Sequence, residues 1–209
     1  MKRFLFCSAL LIASSLAYGP ALAAVNLYLK LDGIDGESQD KAHLGWIDIL
    51  SYRFGVTNSV GGAQGTGRAT FSELSVTKVV DKSSPSLLFD TASATHIENG
   101  LLDVVEAGQP SSKPFLEYKF TNLLVSDYSV GSGGDRPEES LSLNFTKIQF
   151  TAFPQNPDGT FGTPITMDWD VIRNSGSLSV PEPSSWAIVA AGMLVVAFRA
   201  GRMMQTRAR

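Results

Sequence analysis

Cysteine is almost missing from this 209-residue chain: its one example, Cys7, lies close to the N-terminus. A product that loses this end has no thiol, which excludes a disulfide scaffold and any cysteine metal site. Histidine is nearly as scarce. His43 and His96 are the only two, and neither sits in an H-E-x-x-H or comparable spacing. No G-x-S-x-G elbow occurs. The glycine-rich stretch from Gly61 to Gly67 is not followed by Lys-Ser or Lys-Thr, which a phosphate loop requires. A cationic excess is also lacking. From Ala24 to Val180 there are 19 Asp and Glu against 11 Lys and Arg, a net charge of −8. Nucleic acid is therefore excluded as a partner, because phosphate binding needs a basic face. Nothing nominates a catalytic centre, a cofactor or a metal, and the chain reads as non-enzymatic.

The two ends carry what the middle lacks. Lys2 and Arg3 precede an apolar stretch from Phe4 to Ala17, and Ala21-Leu22-Ala23 is a small-x-small cleavage pattern before Ala24. Residues 1–23 thus read as a secretory signal peptide with cleavage marked by Ala21, Ala23 and Ala24, which implies Sec export. A second apolar run, Trp186 to Phe198, is followed at once by Arg199, Arg202, Arg207 and Arg209. Counted from Ser184 it is about 22 Å long as a helix, short of the roughly 30 Å bilayer core. A snorkelling Arg199 and the following methionines extend it. Arginines retained on the cytoplasmic side put the middle domain outside. The expected organisation is a leader (1–23), a folded domain (24–176), a linker (177–183), and an apolar helix with basic tail (184–209).

The middle is mainly strands. Val25 to Leu31 alternates with period two, as do Ile165, Met167, Trp169 and Val171 against Thr166, Asp168 and Asp170. A long strand is expected from Phe115 to Val130, with Leu116, Tyr118, Phe120 and Leu124 on one face. Trp46 to Asn58, Gly67 to Val80 and Leu101 to Glu106 are further candidates. Two strands change phase: Leu141, Leu143 and Phe145 give way to Ile148, Phe150 and Ala152, and Ala69 and Phe71 to Leu74 and Val76. Such shifts predict bulges, and bent strands predict a closed or nearly closed barrel. One short helix is expected, capped by Ser84, with Pro85 at its first position, a stripe of Leu87, Leu88 and Ala92, and an end near Ala94. Asn174 to Ser179 reads as a polar linker. The crowded carboxylates Asp32, Asp35, Glu37 and Asp40 lack EF-hand spacing and read as a solvated turn.

Six stretches, in order and spacing, resemble the Hcp family of type VI secretion tube proteins. They are KLDGIDGESQDKAH (Lys30 to His43), IDILSYRFG (Ile47 to Gly55), LSVTKVVDKSSPSLL (Leu74 to Leu88), LVSDYSVGSGGDRPEE (Leu124 to Glu139), LSLNFTKIQ (Leu141 to Gln149), and Asp158 to Asn174. The resemblance implies a compact antiparallel β-barrel with one short side helix. It also implies assembly with itself into a homo-hexameric ring, with stacking through a loop carrying Gly55, Gly61, Gly62, Gly65 and Gly67. Val180-Pro181-Glu182-Pro183, an apolar run and terminal arginines resemble a PEP-CTERM sorting signal, whose implied partner is an exosortase, with the C-terminal helix in the membrane. Together they imply an exported structural protein forming rings at or outside the cell surface, with an exopolysaccharide or a secreted protein as outer partner. The alternative is a type VI tube subunit or effector carrier.

Overall fold

The computed structural model describes residues 24–59, 67–107, 113–156 and 158–180. The leader with Ala21 and Ala23, loop glycines Gly61, Gly62 and Gly65, the Pro181 to Pro183 motif and the C-terminal apolar run lie outside the described residues.

Among the described residues twelve strands and one helix follow in order: β1 (Val25–Leu31), β2 (Ile47–Ile49), β3 (Ser51–Arg53), β4 (Val56–Asn58), β5 (Ala69–Phe71), β6 (Leu74–Val79), α1 (Ser84–Ser93), β7 (His96–Glu106), β8 (Pro114–Gly131), β9 (Glu138–Asn144), β10 (Lys147–Ala152), β11 (Ile165–Asp170) and β12 (Ser175–Ser179). All described pairings are antiparallel, as short connections allow. β1 pairs β2 and β7, β7 pairs β8, β8 pairs β9, β9 pairs β6, and β6 pairs β3. Only Leu50 separates β2 from β3, and its amide reaches Thr77 O at 2.7 Å. One running segment thus changes partner from β1 to β6, and the circuit closes. A wing of β10, β11 and β12 extends from the outer edge of β8. The expected β-barrel with one side helix is what forms.

Apolar alternation fills the interior. Leu29, Leu31, Ile47, Leu74, Val76, Leu102, Phe120, Leu123, Leu141 and Leu143 all point into one cluster and are buried. Leu87 is the one apolar residue α1 buries in it, while Leu88 and Ala92 of the expected stripe are exposed. Gly100 sits where a Cβ would press on Leu31 and Leu123, so the absence of a side chain lets those leucines meet.

Both phase shifts are real, and they take different forms. Arg53 faces Ser75 and Val56 faces Phe71, so two residues on one strand oppose three on the other. That is a bulge, and it separates the β4–β5 hairpin from the barrel. At the second shift there is no bulge. The ladder stops at Leu124–Asn144 and resumes at Thr121–Lys147, leaving two residues out of register on each side, with the Thr146 amide still reaching Thr121 O at 3.1 Å. Asn122 there has φ 53°, a left-handed conformation that asparagine tolerates better than most residues. It turns β8 over, so the inward set passes from Tyr118 and Phe120 to Leu123 and Val125. Leu124, expected inside, is only half-buried.

Two local expectations are corrected. The helix cap is Ser83, not Ser84, and Pro85 follows Ser84 as the second helical residue. Ser84 instead accepts a bond from the Asp81 amide at 3.0 Å. Asn174 to Ser179 does not form a linker: residues 175–179 are β12, paired along β11. A run of serine and glycine carries no apolar period, so only the neighbouring strand reveals it.

Truncating Phe120 tests the barrel centre. It is 1% exposed and lies 5.0 Å from the Phe145 ring. Phe120→Ala is expected to cost about 3–5 kcal/mol in denaturant unfolding.

Candidate assembly surface and its buried supports

β6 alternates inward Leu74, Val76 and then Lys78, so a lysine occupies a core position. It is fully buried and directly faces Glu139 of β9. Its Nζ donates to Glu139 Oε1 at 2.5 Å, Asp81 Oδ1 at 2.8 Å, Val79 O at 3.0 Å and Ser84 Oγ at 3.3 Å. Tyr128 donates to the other oxygen of Glu139 at 2.7 Å. Asp81 also accepts from the Ser83 amide at 2.8 Å and from its hydroxyl. A buried cation is tolerable only with such a full set of partners. The cluster ties β6, β9 and β8 to the start of α1, and so fixes how the helix stands on the barrel. Burial and the Glu139 carboxylate push the Tyr128 phenol up to about 12.

A second polar pin holds the loop after β1. His43 is buried; its Nδ1 meets Asp40 Oδ1 at 2.9 Å and its Nε2 meets Asp103 Oδ2 at 3.0 Å. The imidazole stacks on Tyr28 at 4.2 Å and meets the edge of Trp46 at 4.8 Å. Burial holds the Asp103 carboxyl above its usual range, partly opposed by the His43 bond. Both ring nitrogens are committed, so His43 acts as a fastener. His96 is exposed and meets Asn122 Oδ1 at 2.9 Å. The loop carboxylates do not converge: Asp32 accepts from Asn99, Glu37 from the Lys82 amide, and Asp40 from Ala42 and His43, while Asp35 faces solvent. Among the described residues no group of three or more potential metal ligands gathers.

These supports leave apolar residues outside. Leu88 and Phe89 on α1, Leu44, Leu50, Val130, Ile172 and Leu178 are all more than half exposed. Of the expected loop residues, Gly55 exchanges two bonds with Ser72, giving its amide to Oγ at 2.7 Å and accepting the Ser72 amide at 2.8 Å. Gly67 lies so close to Asn58 and Ser59 that any Cβ would collide with them. Gly55 and Ser72 therefore mark the foot of one arm, the β4–β5 hairpin, while Gly67 lies at its outer end beside Asn58 and Ser59. At the opposite end of the domain's sequence, Ala24 O accepts the Ala107 amide at 2.8 Å, and Val180 is exposed one residue past β12. Lys78, Glu139 and Asp103 were not singled out from sequence. Lys78 shares the phase of Leu74 and Val76, and Glu139 that of Leu141 and Leu143; two opposite charges on inward phases were the available signal.

A closed barrel with a lateral wing, a protruding arm, fastened loops and uncovered apolar residues defines a class of protein whose working parts are surfaces. Comparison with known proteins agrees. Residues 28–151 match the family described as type VI secretion system effector, Hcp, and residues 179–202 match the PEP-CTERM protein-sorting motif. Protein hcp1 of Pseudomonas aeruginosa is 34% identical over 158 residues, covering 72% of this chain and 98% of the relative. The solved structure of a type six secretion system protein aligns with TM-score 0.67 and 31% identity over 74% of this chain and all of that one. Hcp1 from Salmonella typhimurium gives TM-score 0.63 and 29% identity over 74% and 99%. This chain belongs to the Hcp family and carries a PEP-CTERM sorting signal.

Two measurements probe the Lys78 cluster. Lys78→Met leaves Glu139 buried without its cation and is expected to destabilise by about 3–5 kcal/mol, while Lys78→Met with Glu139→Leu recovers much of that loss. A thermodynamic cycle from urea unfolding reads the coupling. Tyr128 adds a pH signature. Because its folded phenol keeps its proton up to about pH 12, the unfolded chain ionises first. Stability should fall as pH rises from about 10 to 12, and Tyr128→Phe should flatten that part of the profile.

Proposed function

We propose that this chain is an exported, exosortase-sorted Hcp protein that forms hexameric rings at or outside the cell surface and has no catalytic role. The observation that carries this reading is the join between its two family signatures: the sorting match begins at Ser179, the residue on which β12 ends. A structural domain is thus followed directly by an address. In this reading residues 1–23 direct Sec export and are removed before Ala24. The folded unit is residues 24–179, three residues beyond the boundary drawn from periodicity. The apolar run from Ser184 to Phe198 holds the chain in the membrane, with its arginines inside and the barrel outside. The exosortase engages Val180, Pro181, Glu182 and Pro183.

Ring closure rests on family resemblance and on the exposed apolar residues of α1 and the wing. A head-to-tail contact closes when the rotation per subunit divides a full turn. The arm bearing Gly55 and Gly67 then serves contact between rings. An exopolysaccharide or a secreted protein is the partner such rings would meet outside. The second reading, a type VI tube subunit or effector carrier, is favoured by the unbroken family match over residues 28–151.

The test is cell fractionation with mass measurement, followed by light scattering and electron microscopy of the mature chain. Material starting at Ala24, shortened only when the exosortase is present and running as a hexamer, is expected. Full-length protein in the cytosol, or a strict monomer at high concentration, would refute the reading.

A further inference from the structure

β12 is the one strand of the ten-stranded sheet whose residues are all exposed, and among the described residues it pairs with β11 alone. Segments with little apolar burial open most readily. It is also the strand nearest the sorting signal, with Val180 the one residue between Ser179 and Pro181. Five Cα steps carry the chain from Ser179 to Ser184, at most about 18 Å when extended. An enzyme acting at Pro181 to Pro183 that also grips the chain on the N-terminal side of the motif competes with the sheet for β12. With β12 in the sheet, one side of that chain is taken.

The same strand and its turn hold the arm. Asn174, at φ 52°, accepts the Ala69 amide at 3.0 Å, and Arg68 donates to Ile172 O at 3.4 Å. Residues 172 and 174 are the turn between β11 and β12, while residues 68 and 69 are the return leg of the arm. Gly176 of β12 lies against Trp169, so closely that a Cβ would collide with the ring and with the Asp168 carbonyl. Trp169 in turn lies 6.2 Å from Phe71 of β5. The turn clamps the arm's backbone, and the strand backs the ring against which Phe71 packs.

We propose that β12 is a shared element: it either supports the arm or yields its length to the sorting enzyme, so that processing of the tail and docking of the arm exclude each other. This rests on the sorted-ring reading and adds its regulation. Peeling β12 removes the support of Asn174 and of the Trp169–Phe71 contact together. By linkage, whatever firms the arm also holds β12 in the sheet and lowers the share of chains open to the enzyme, and whatever loosens it raises that share.

The experiment follows shortening of the full chain in cells that contain the processing enzyme. Asp168 and Ser177 are facing partners on β11 and β12. Neighbouring antiparallel strands hold such pairs within disulfide reach. Asp168→Cys with Ser177→Cys, once oxidised, should keep the chain full-length, and reduction should restore shortening; each single variant should behave as wild type. Phe71→Ala, on the arm and outside β12, should speed shortening by about fivefold, the size of one aromatic pair. An oxidised lock shortened at the wild-type rate overturns the proposal, as does Phe71→Ala shortened no faster than wild type. A wild-type chain that is never shortened overturns the sorted reading itself, and this inference with it. The two failures are therefore distinct.

Discussion

Closure of the barrel depends on what happens at Leu50. A seven-residue segment, 47–53, pairs first with β1 and then with β6, and the amide between the two pairings is caught by Thr77 O. Without that exchange the sheet would end in two long open edges, and open edges pair with whatever is near. With it, β1, β7, β8, β9 and β6 form a continuous wall, and their inward residues share one core. Everything that protrudes stands on that wall: the arm beyond β3, the helix after β6, and the wing beside β8.

Polar groups then decide how the protrusions are held. Two buried charged clusters do the fastening. Lys78 with Glu139 and Asp81 sets the helix, and His43 between Asp40 and Asp103 sets the loop after β1. Each works because every strong donor has an acceptor at hand. The result is that Leu88 and Phe89 are presented on a fixed support. On the proposed ring reading, a surface held this rigidly loses less motion on contact with a neighbour.

Periodicity carried much of this into view. β1 falls on the expected residues, β11 and β8 nearly so, and the helix ends at Ala94 in a left-handed turn. The phase change at Phe71 to Leu74 marked a true bulge. Where the reading failed, side-chain chemistry had gone quiet or ambiguous. Ser175 to Ser179 offers no apolar alternation, and it becomes a strand only because β11 lies beside it. Leu123 and Leu124 are equally apolar, so the left-handed Asn122 that selects between them left no trace in hydrophobicity. Ser83 and Ser84 are equally good caps by type, and the choice rests on Asp81 and Lys78. The loop carrying Gly55 and Gly67 was proposed through family resemblance, and the structure puts the two glycines at opposite ends of β4. The buried lysine was missed because charge is ordinarily read as solvated.

That lysine bears on how the sequence can change over generations. Lys78 and Glu139 each make the other tolerable, so a single replacement at either position strands a charge in the core. Drift at one is blocked unless the other moves with it, and Asp81 and Tyr128 narrow the accepted pairs further. Two positions 61 residues apart in the chain therefore behave as one inherited character. Descendants should keep the pair whole or exchange it together for an apolar one, while the loops around it vary freely.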